Sequence, residues 1–263
     1  MQPGKAEDPQ IEWEADDRFR LQGFEFHAHP FGGGAAPAQG FTLLKNRPLV
    51  DAYVDLARNL RPQRIVELGV FRGGSVALLE LLAMPQRLLA FDIRPDPIPE
   101  LEAFLAGRAA TDRVRVSYGV DQSDAAAILG VLHQELGPEP ALDLVIDDAS
   151  HELDLTRRSF NMLFPYLREG GVYVVEDWGW GHFAFARERA GPSLAKLMLE
   201  MVLSLPFAEQ LIDRIVIDRH LALITRGAAE IEAATFALGD HVSPRGAQLL
   251  AVVDEDPRLL DGS

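Results

Sequence analysis

From Gln63 onward, short apolar runs alternate with longer amphipathic ones, and this rhythm limits the fold more than any other feature of the sequence. "RIVELG" reads as a buried strand, and Gly73 to Met84 as a helix with an apolar face. "RLLAFDI" is a strand, followed by a helix near Pro99 to Ala106. "RVRVSYG" is a third strand, Asp124 to Leu136 a helix, "LDLVIDD" a fourth strand, Asp154 to Leu167 a helix. "GVYVVED" is the fifth strand, and Ser193 to Leu203 the helix after it. Strands that alternate with helices are joined by crossovers, so they run parallel in a sheet covered on both faces. Right-handed crossovers leave few topologies open.

The last part of the pattern departs from this rhythm. "DRIVIDRHLALITRG" reads as two strands separated by "DRH", a gap short enough to require an antiparallel hairpin. A mostly parallel, seven-stranded sheet that ends in such a hairpin, with helices on both faces, resembles the Rossmann-like class I methyltransferase fold. Residues 46–227 are expected to form this catalytic domain, with a first helix from Arg47 to Leu60 stopped by Pro62. Residues 1–45 read as a loosely held arm followed by "FEFHAHPFGGGAAPAQGF", a long loop that is either a lid or a disordered leader. Residues 228–263 form a C-terminal extension that packs back or joins subunits, and a homo-oligomer is expected.

Composition excludes several alternatives. The formal net charge of the 263 residues is −15, which disfavours nucleic acid and anionic membrane surfaces as partners. The absence of cysteine removes disulfides, thiolate metal sites and cysteine nucleophiles. The opening stretch is polar and acidic, unlike a secretory signal, and the longest apolar stretch is broken by Lys196 and Glu200. A cytoplasmic protein is the expectation.

The chemistry concentrates at the strand ends, where open α/β sheets bind ligands. "VELGVFRGGS" places Glu67, Gly69, Gly73, Gly74 and Ser75 at the first strand-to-helix turn. Its spacing is not the G-x-G-x-x-G of a pyrophosphate cradle, and the acid before the first glycine would repel phosphate yet accept from an ammonium. The loop resembles that of methyltransferases using S-adenosylmethionine. Asp92 ends the second strand, where it would accept from both ribose hydroxyls, and Asp121 or Gln122 after the third would face the adenine edge.

Asp147 and Asp148 end the fourth strand and Glu176 and Asp177 the fifth. If these strands are neighbours, four carboxylates meet in one small region; either some protonate or a cation binds. Asp148, Glu176 and Asp177 are the expected ligands of Mg2+ or Mn2+, with Asp147 facing the cofactor or supporting the fold. His151, three residues after Asp148, is the expected general base for methyl transfer to an alcohol.

"DDASHELDLTRRSFNMLFPYLREGGVYVVEDW" resembles the metal-dependent sugar O-methyltransferases of natural-product biosynthesis, such as those acting on macrocin and mycinamicin, and is similar to the related cephalosporin hydroxylase. The likeness covers about residues 62 to 226 and is strongest from 142 to 178. It implies Mg2+ at Asp148, Glu176 and Asp177, His151 as base, and a glycosylated or polyol small molecule as acceptor. The hydroxylase likeness implies an alternative, an iron(II)-dependent oxygenase using 2-oxoglutarate; a phenolic acceptor is another. The chain departs from these relatives after the acid pair, where "WGWGHFAFARERAG" replaces a Thr/Ser-rich stretch. Trp178, Trp180 and Phe183 there form either an aromatic wall for the acceptor or a plug in the core or a subunit contact.

Overall fold

The computed structural model describes residues 11–29, 40–182, 193–208 and 210–255. The proposed lid glycines, at positions 32–34, and Phe183 lie outside them. The larger sheet contains β5 (Arg64–Leu68), β6 (Arg87–Asp92), β7 (Val114–Tyr118), β8 (Leu142–Asp147), β9 (Leu167–Glu176), β10 (Ile212–Ile217) and β11 (Leu221–Arg226). Their order is β10-β11-β9-β8-β5-β6-β7, and only β10 and β11 run antiparallel to their neighbours. The expected mostly parallel sheet with a terminal hairpin is therefore present. Strand order reverses between β5 and β8, and the crevice for a ligand opens at that switch point.

Alternation along each strand assigns the two faces. Ile65, Leu144, Ile146, Val172 and Val174 point into one core with α1 (Arg47–Leu60), α2 (Gly74–Ala83) and α3 (Pro99–Gly107). Val66, Leu68, Val145, Tyr173 and Val175 point into the other, with α4 (Ala125–Leu136), α5 (Leu153–Leu163) and α6 (Ala195–Ser204). Strands buried on both faces need apolar residues at every position, and all of β8 is buried. The expected bounds of α1 hold to the residue: Asn46 caps it by accepting from the Leu49 N–H, and Arg61 leaves it in left-handed conformation ahead of Pro62. The helix α5 is shorter than expected. Pro165 cannot continue it, so a 3-10 turn over Phe164–Tyr166 passes straight into β9, which begins at Leu167. A last helix, α7, spans Pro244–Glu255 in the C-terminal extension.

Residues 12–28, expected as a loose arm and loop, are ordered strands instead. β1 (Glu12–Ala15), β2 (Arg18–Leu21), β3 (Phe24–Ala28) and β4 (Gly40–Leu43) form a second sheet in that order. Gln22 and Gly23, both at positive φ, turn β2 into β3. One face of this sheet carries Phe19, Leu21, Phe26, Ala28, Phe41 and Leu43 and joins the first core; Phe19 and Phe26 stack at 4.9 Å. Close approach at the start of α2 locks the two sheets together, since a Cβ on Gly74 would meet the Thr42 carbonyl oxygen at 2.4 Å. The small sheet thus ends in residues 44–46 directly over the switch point.

Gly69 allows a close backbone contact between the ends of β5 and β8. Its φ is +90°, and a Cβ there would come within 2.1 Å of the Asp148 carbonyl oxygen. Gly69→Ala is expected to destabilise the fold by about 2–3 kcal/mol, from backbone strain plus a clash with backbone that cannot retreat. Gly23→Ala, at a similar φ but with open space around it, should lose no more than about 1 kcal/mol. Thermal unfolding of the two variants checks the difference; equal shifts in Tm would contradict it.

Candidate functional site

A cleft of about 790 Å³ opens over the ends of β5, β8 and β9. Its floor includes Gly69, Ser75, Asp148 and Asp177; Lys45, His151, Trp180, Arg219 and His220 complete much of its wall. Asp148, His151 and Asp177 each offer a ligand atom within 4.8 Å of the others. His151 Nε2 stands 4.0 Å from an Asp148 oxygen. His151 and Asp177 sit at φ +58° and +51°, an uncommon conformation that turns both side chains into the cleft at some cost in backbone strain. A backbone bond from Asp177 N–H to the His220 carbonyl (2.8 Å) holds the end of β9 to the hairpin turn. Burial and the neighbouring Glu176 charge raise the Asp177 pKa.

Glu176 does not join this trio. Its Oε1 accepts from Lys45 Nζ at 2.5 Å and its Oε2 from the Tyr53 hydroxyl. Lys45, 2% exposed, also donates to Asp148 Oδ2 at 3.0 Å and lies 4.9 Å from the centre of the Tyr53 ring. Burial opposes the charge on Lys45, but Asp148 and Glu176 outweigh it and hold its pKa above the ordinary lysine value. Burial and Asp148 raise the Glu176 carboxyl while Lys45 and Tyr53 draw it back, and with an ammonium at 2.5 Å the pair is ionic. The crowd of acids is therefore partly neutralised by a protein cation: of the expected ligands Asp148, Glu176 and Asp177, Glu176 is paired with Lys45, while Asp148 and Asp177 face the cleft with His151.

Sequence reasoning does not reach Lys45 or Tyr53. A lysine between "FTLL" and a helix start ordinarily reads as surface, and Tyr53 as one more apolar position on α1. Nothing local in either stretch points to partners more than a hundred residues away.

The expected cofactor residues fall into two groups. Gly69, Gly74 and Ser75 line the cleft, and Gly73, at φ +80°, caps α2. The others are engaged within the protein. Asp92 Oδ2 accepts from Val70 and Phe71 N–H, both at 2.8 Å, and Oδ1 accepts from Arg94 N–H, so this acid braces the glycine loop. Asp121 caps its own turn through the Ser123 N–H and hydroxyl, which lower its pKa. Gln122 donates to Ser159 at 2.9 Å and accepts from Ser150 N–H at 2.9 Å. Asp147 is buried beside Gln122 and accepts from the Tyr173 hydroxyl at 3.0 Å; burial lifts its pKa to about 7. These contacts engage Asp147 within the fold. Of the aromatic residues, Trp180 lines the cleft with its ring 5.8 Å from His151, whereas Trp178 packs on the second core and donates to the Asp218 carbonyl.

Glu67 lies beneath the loop, fully buried, and neither carboxyl oxygen has a hydrogen-bond partner. Burial lifts its pKa to about 8, although Ser75 and Lys45 favour the charged form.

The family described as "Methyltransferase domain" matches residues 66–178, the span from the glycine loop to the acid pair. The fold is that of the class I methyltransferases. Within that class the chain is similar to sugar O-methyltransferases: it is 43% identical over 91 residues to mycinamicin VI 2''-O-methyltransferase of Micromonospora griseorubida, covering 32% of this chain and 22% of that protein. It is 35% identical over 109 residues to L-olivosyl-oleandolide 3-O-methyltransferase of Streptomyces antibioticus, covering 39% of this chain and 27% of that protein. The chain thus matches about a quarter of the length of these relatives. In fold it is similar to MycE methyltransferase from the mycinamycin biosynthetic pathway, solved in complex with Mg and SAH, with a TM-score of 0.52 and 24% identity over 67% of this chain and 49% of that one. Among the described residues no helix is long and apolar enough to cross a membrane.

The buried Glu67 gives a pH test. An acid whose folded pKa is raised from the ordinary 4.5 to about 8 binds its proton more tightly in the folded state, so stability falls as pH rises through that window and is lowest above it. Glu67→Gln keeps the shape and removes the charge. Its Tm should equal or slightly exceed that of the parent at pH 5 and exceed it by several degrees at pH 8.5. A constant offset between the two curves would contradict a buried carboxyl that ionises late.

Proposed function

We propose that the chain transfers a methyl group from S-adenosylmethionine to a hydroxyl of a sugar or polyol group on a small natural product, with a divalent cation, Mg2+ or Mn2+, at the acceptor. The observation that carries this reading is the trio of Asp148, His151 and Asp177, open to the cleft beside the glycine loop of a methyltransferase domain. The relatives named above, which act on glycosylated natural products, support the acceptor class.

The residues present fit both groups. Asp148 keeps Oδ1 out of its bond to Lys45, and Asp177 makes no side-chain hydrogen bond or ion pair among the described residues, so two carboxylates would hold a hard cation. The partnerless oxygens of Glu67 under the loop favour a positively charged ligand above it, as the amino-acid end of the cofactor is. When bound, the sulfonium supplies an activated methyl group and the divalent ion acidifies the acceptor hydroxyl.

His151 takes the proton from that hydroxyl. Its Nε2 is too far from Asp148 Oδ1 for a hydrogen bond, at 4.0 Å, and so is left to meet a substrate oxygen. Trp180 flanks the imidazole ring, and Leu44, Leu49 and Phe71 give the cleft apolar walls that exclude water and seat the acceptor.

Methyl transfer to a set of glycosylated natural products, followed with labelled cofactor, tests the reading. Excess chelator should abolish transfer and added Mg2+ restore it. His151→Ala should lower kcat by about 10²–10⁴. Full turnover in chelator, or consumption of oxygen and 2-oxoglutarate without methyl transfer, would overturn it; the latter result would point to the hydroxylase alternative.

A further inference from the structure

We propose that His220 is an acceptor-binding residue: its Nδ1–H, fixed in that form by Asn46, donates a hydrogen bond to an oxygen of the sugar or polyol held in the cleft. The inference rests on the proposed function and adds to it a specificity-determining pair outside the matched methyltransferase span.

The start of α1 sets the chemistry of the ring. Asn46 Oδ1 accepts from the Leu49 N–H at 3.0 Å, so the amide oxygen is turned to the helix and the amide NH2 away from it. That NH2 lies 3.1 Å from His220 Nε2. An amide NH2 has only protons to offer, so it donates and the ring nitrogen facing it accepts. With a lone pair on Nε2, the proton of the neutral imidazole sits on Nδ1. A helix cap thus decides the hydrogen-bonding character of a ring 174 residues further along the chain.

The ring is held at the cleft. His220 ends the turn between β10 and β11, where Asp218 Oδ1 accepts from its N–H at 2.7 Å and its carbonyl accepts from the Asp177 N–H. It lines the cleft with Asn46, His151 and Trp180. Nδ1 bonds to no protein group among the described residues and is not buried, which leaves its proton for a bound molecule. The bonds that set the tautomer, to the Leu49 N–H and between the two side chains, lie outside the acid cluster at the ends of β8 and β9.

A donor here suits a polyol. Each hydroxyl or ether oxygen of a sugar can accept, whereas ionised carboxylates only accept, so a fixed donor beside them selects which hydroxyl reaches His151. The two histidines divide the work: His151 receives a proton, and His220 holds a neighbouring oxygen without exchanging one.

Long-range 1H–15N correlation spectra of the full chain at pH 8 report which ring nitrogen of each histidine carries the proton, and His220→Asn identifies the His220 signals by their loss. The parent should show His220 in the Nδ1–H form. Asn46→Ser, which keeps a cap on α1 but no amide donor, should bring in the Nε2–H form. Kinetics then use the glycoside that the parent methylates fastest among those tried above. His220→Phe and Asn46→Ser should each raise KM for that glycoside by about tenfold, with kcat and the KM for S-adenosylmethionine within about threefold of the parent. His220→Asn, which places an amide N–H where Nδ1–H stood, should recover KM to within about threefold. Should His220→Phe not fold, Asn46→Ser decides. An Nε2–H form in the parent, an unchanged KM in the variants, or a loss confined to kcat overturns the inference while leaving methyl transfer standing. Absence of transfer to every glycoside overturns it together with the proposed function.

Discussion

The Lys45 ammonium is the contact on which the rest of the site depends. It spans two acids at the ends of β8 and β9 and is itself anchored between the small sheet and α1. Without a cation there, Glu176 and Asp148 would face one another in a place with little water to separate them, and one would take up a proton. With it, the strand ends can carry charge, Asp177 and His151 can face the cleft, and the carboxylates remain competent to hold an ion. An electrostatic bond thus links layers that apolar packing also joins, and the two requirements fall on the same short segment.

The large sheet was legible because its signals are local. Six of its seven strands are five or six residues long and are marked by apolar positions, each helix has its own stop, and "DRH" leaves room for a hairpin alone. The small sheet was not, for reasons equally physical. Its strands are four or five residues long and half exposed, so their alternation is brief, and the Gly/Ala/Pro-rich run between β3 and β4 masks a parallel pairing that bridges it. Gln22-Gly23 between alternating runs was the available clue to the first hairpin.

The site divides in a similar way. Asp148, His151 and Asp177 were readable because strand order alone brings β8 beside β9. Glu176 meets Lys45 and Tyr53 while Asp177 faces the cleft, because adjacent residues at a strand end point to opposite sides, a divergence that "ED" does not reveal when read as one pair. Asp92, Gln122 and Asp147 have the residue types that cofactor recognition needs, yet the same types also brace turns, and the backbone N–H groups and the Tyr173 hydroxyl that they meet are not legible along the chain. Lys45 shows the limit of reading along the chain: a residue whose role lies wholly in tertiary contact leaves no periodic trace.

The placement of β4 has a consequence for what counts as a portable unit. The strand-and-helix repeat from β5 to β9 contains the glycine loop and every acid of the cleft, and it resembles a module that could be grafted into a chimera on its own. It lacks its counter-ion, which arrives from a different layer of the molecule. A transplant of that module would carry the anions without the charge that tames them, so the heritable package here begins upstream, with the strands that deliver one lysine.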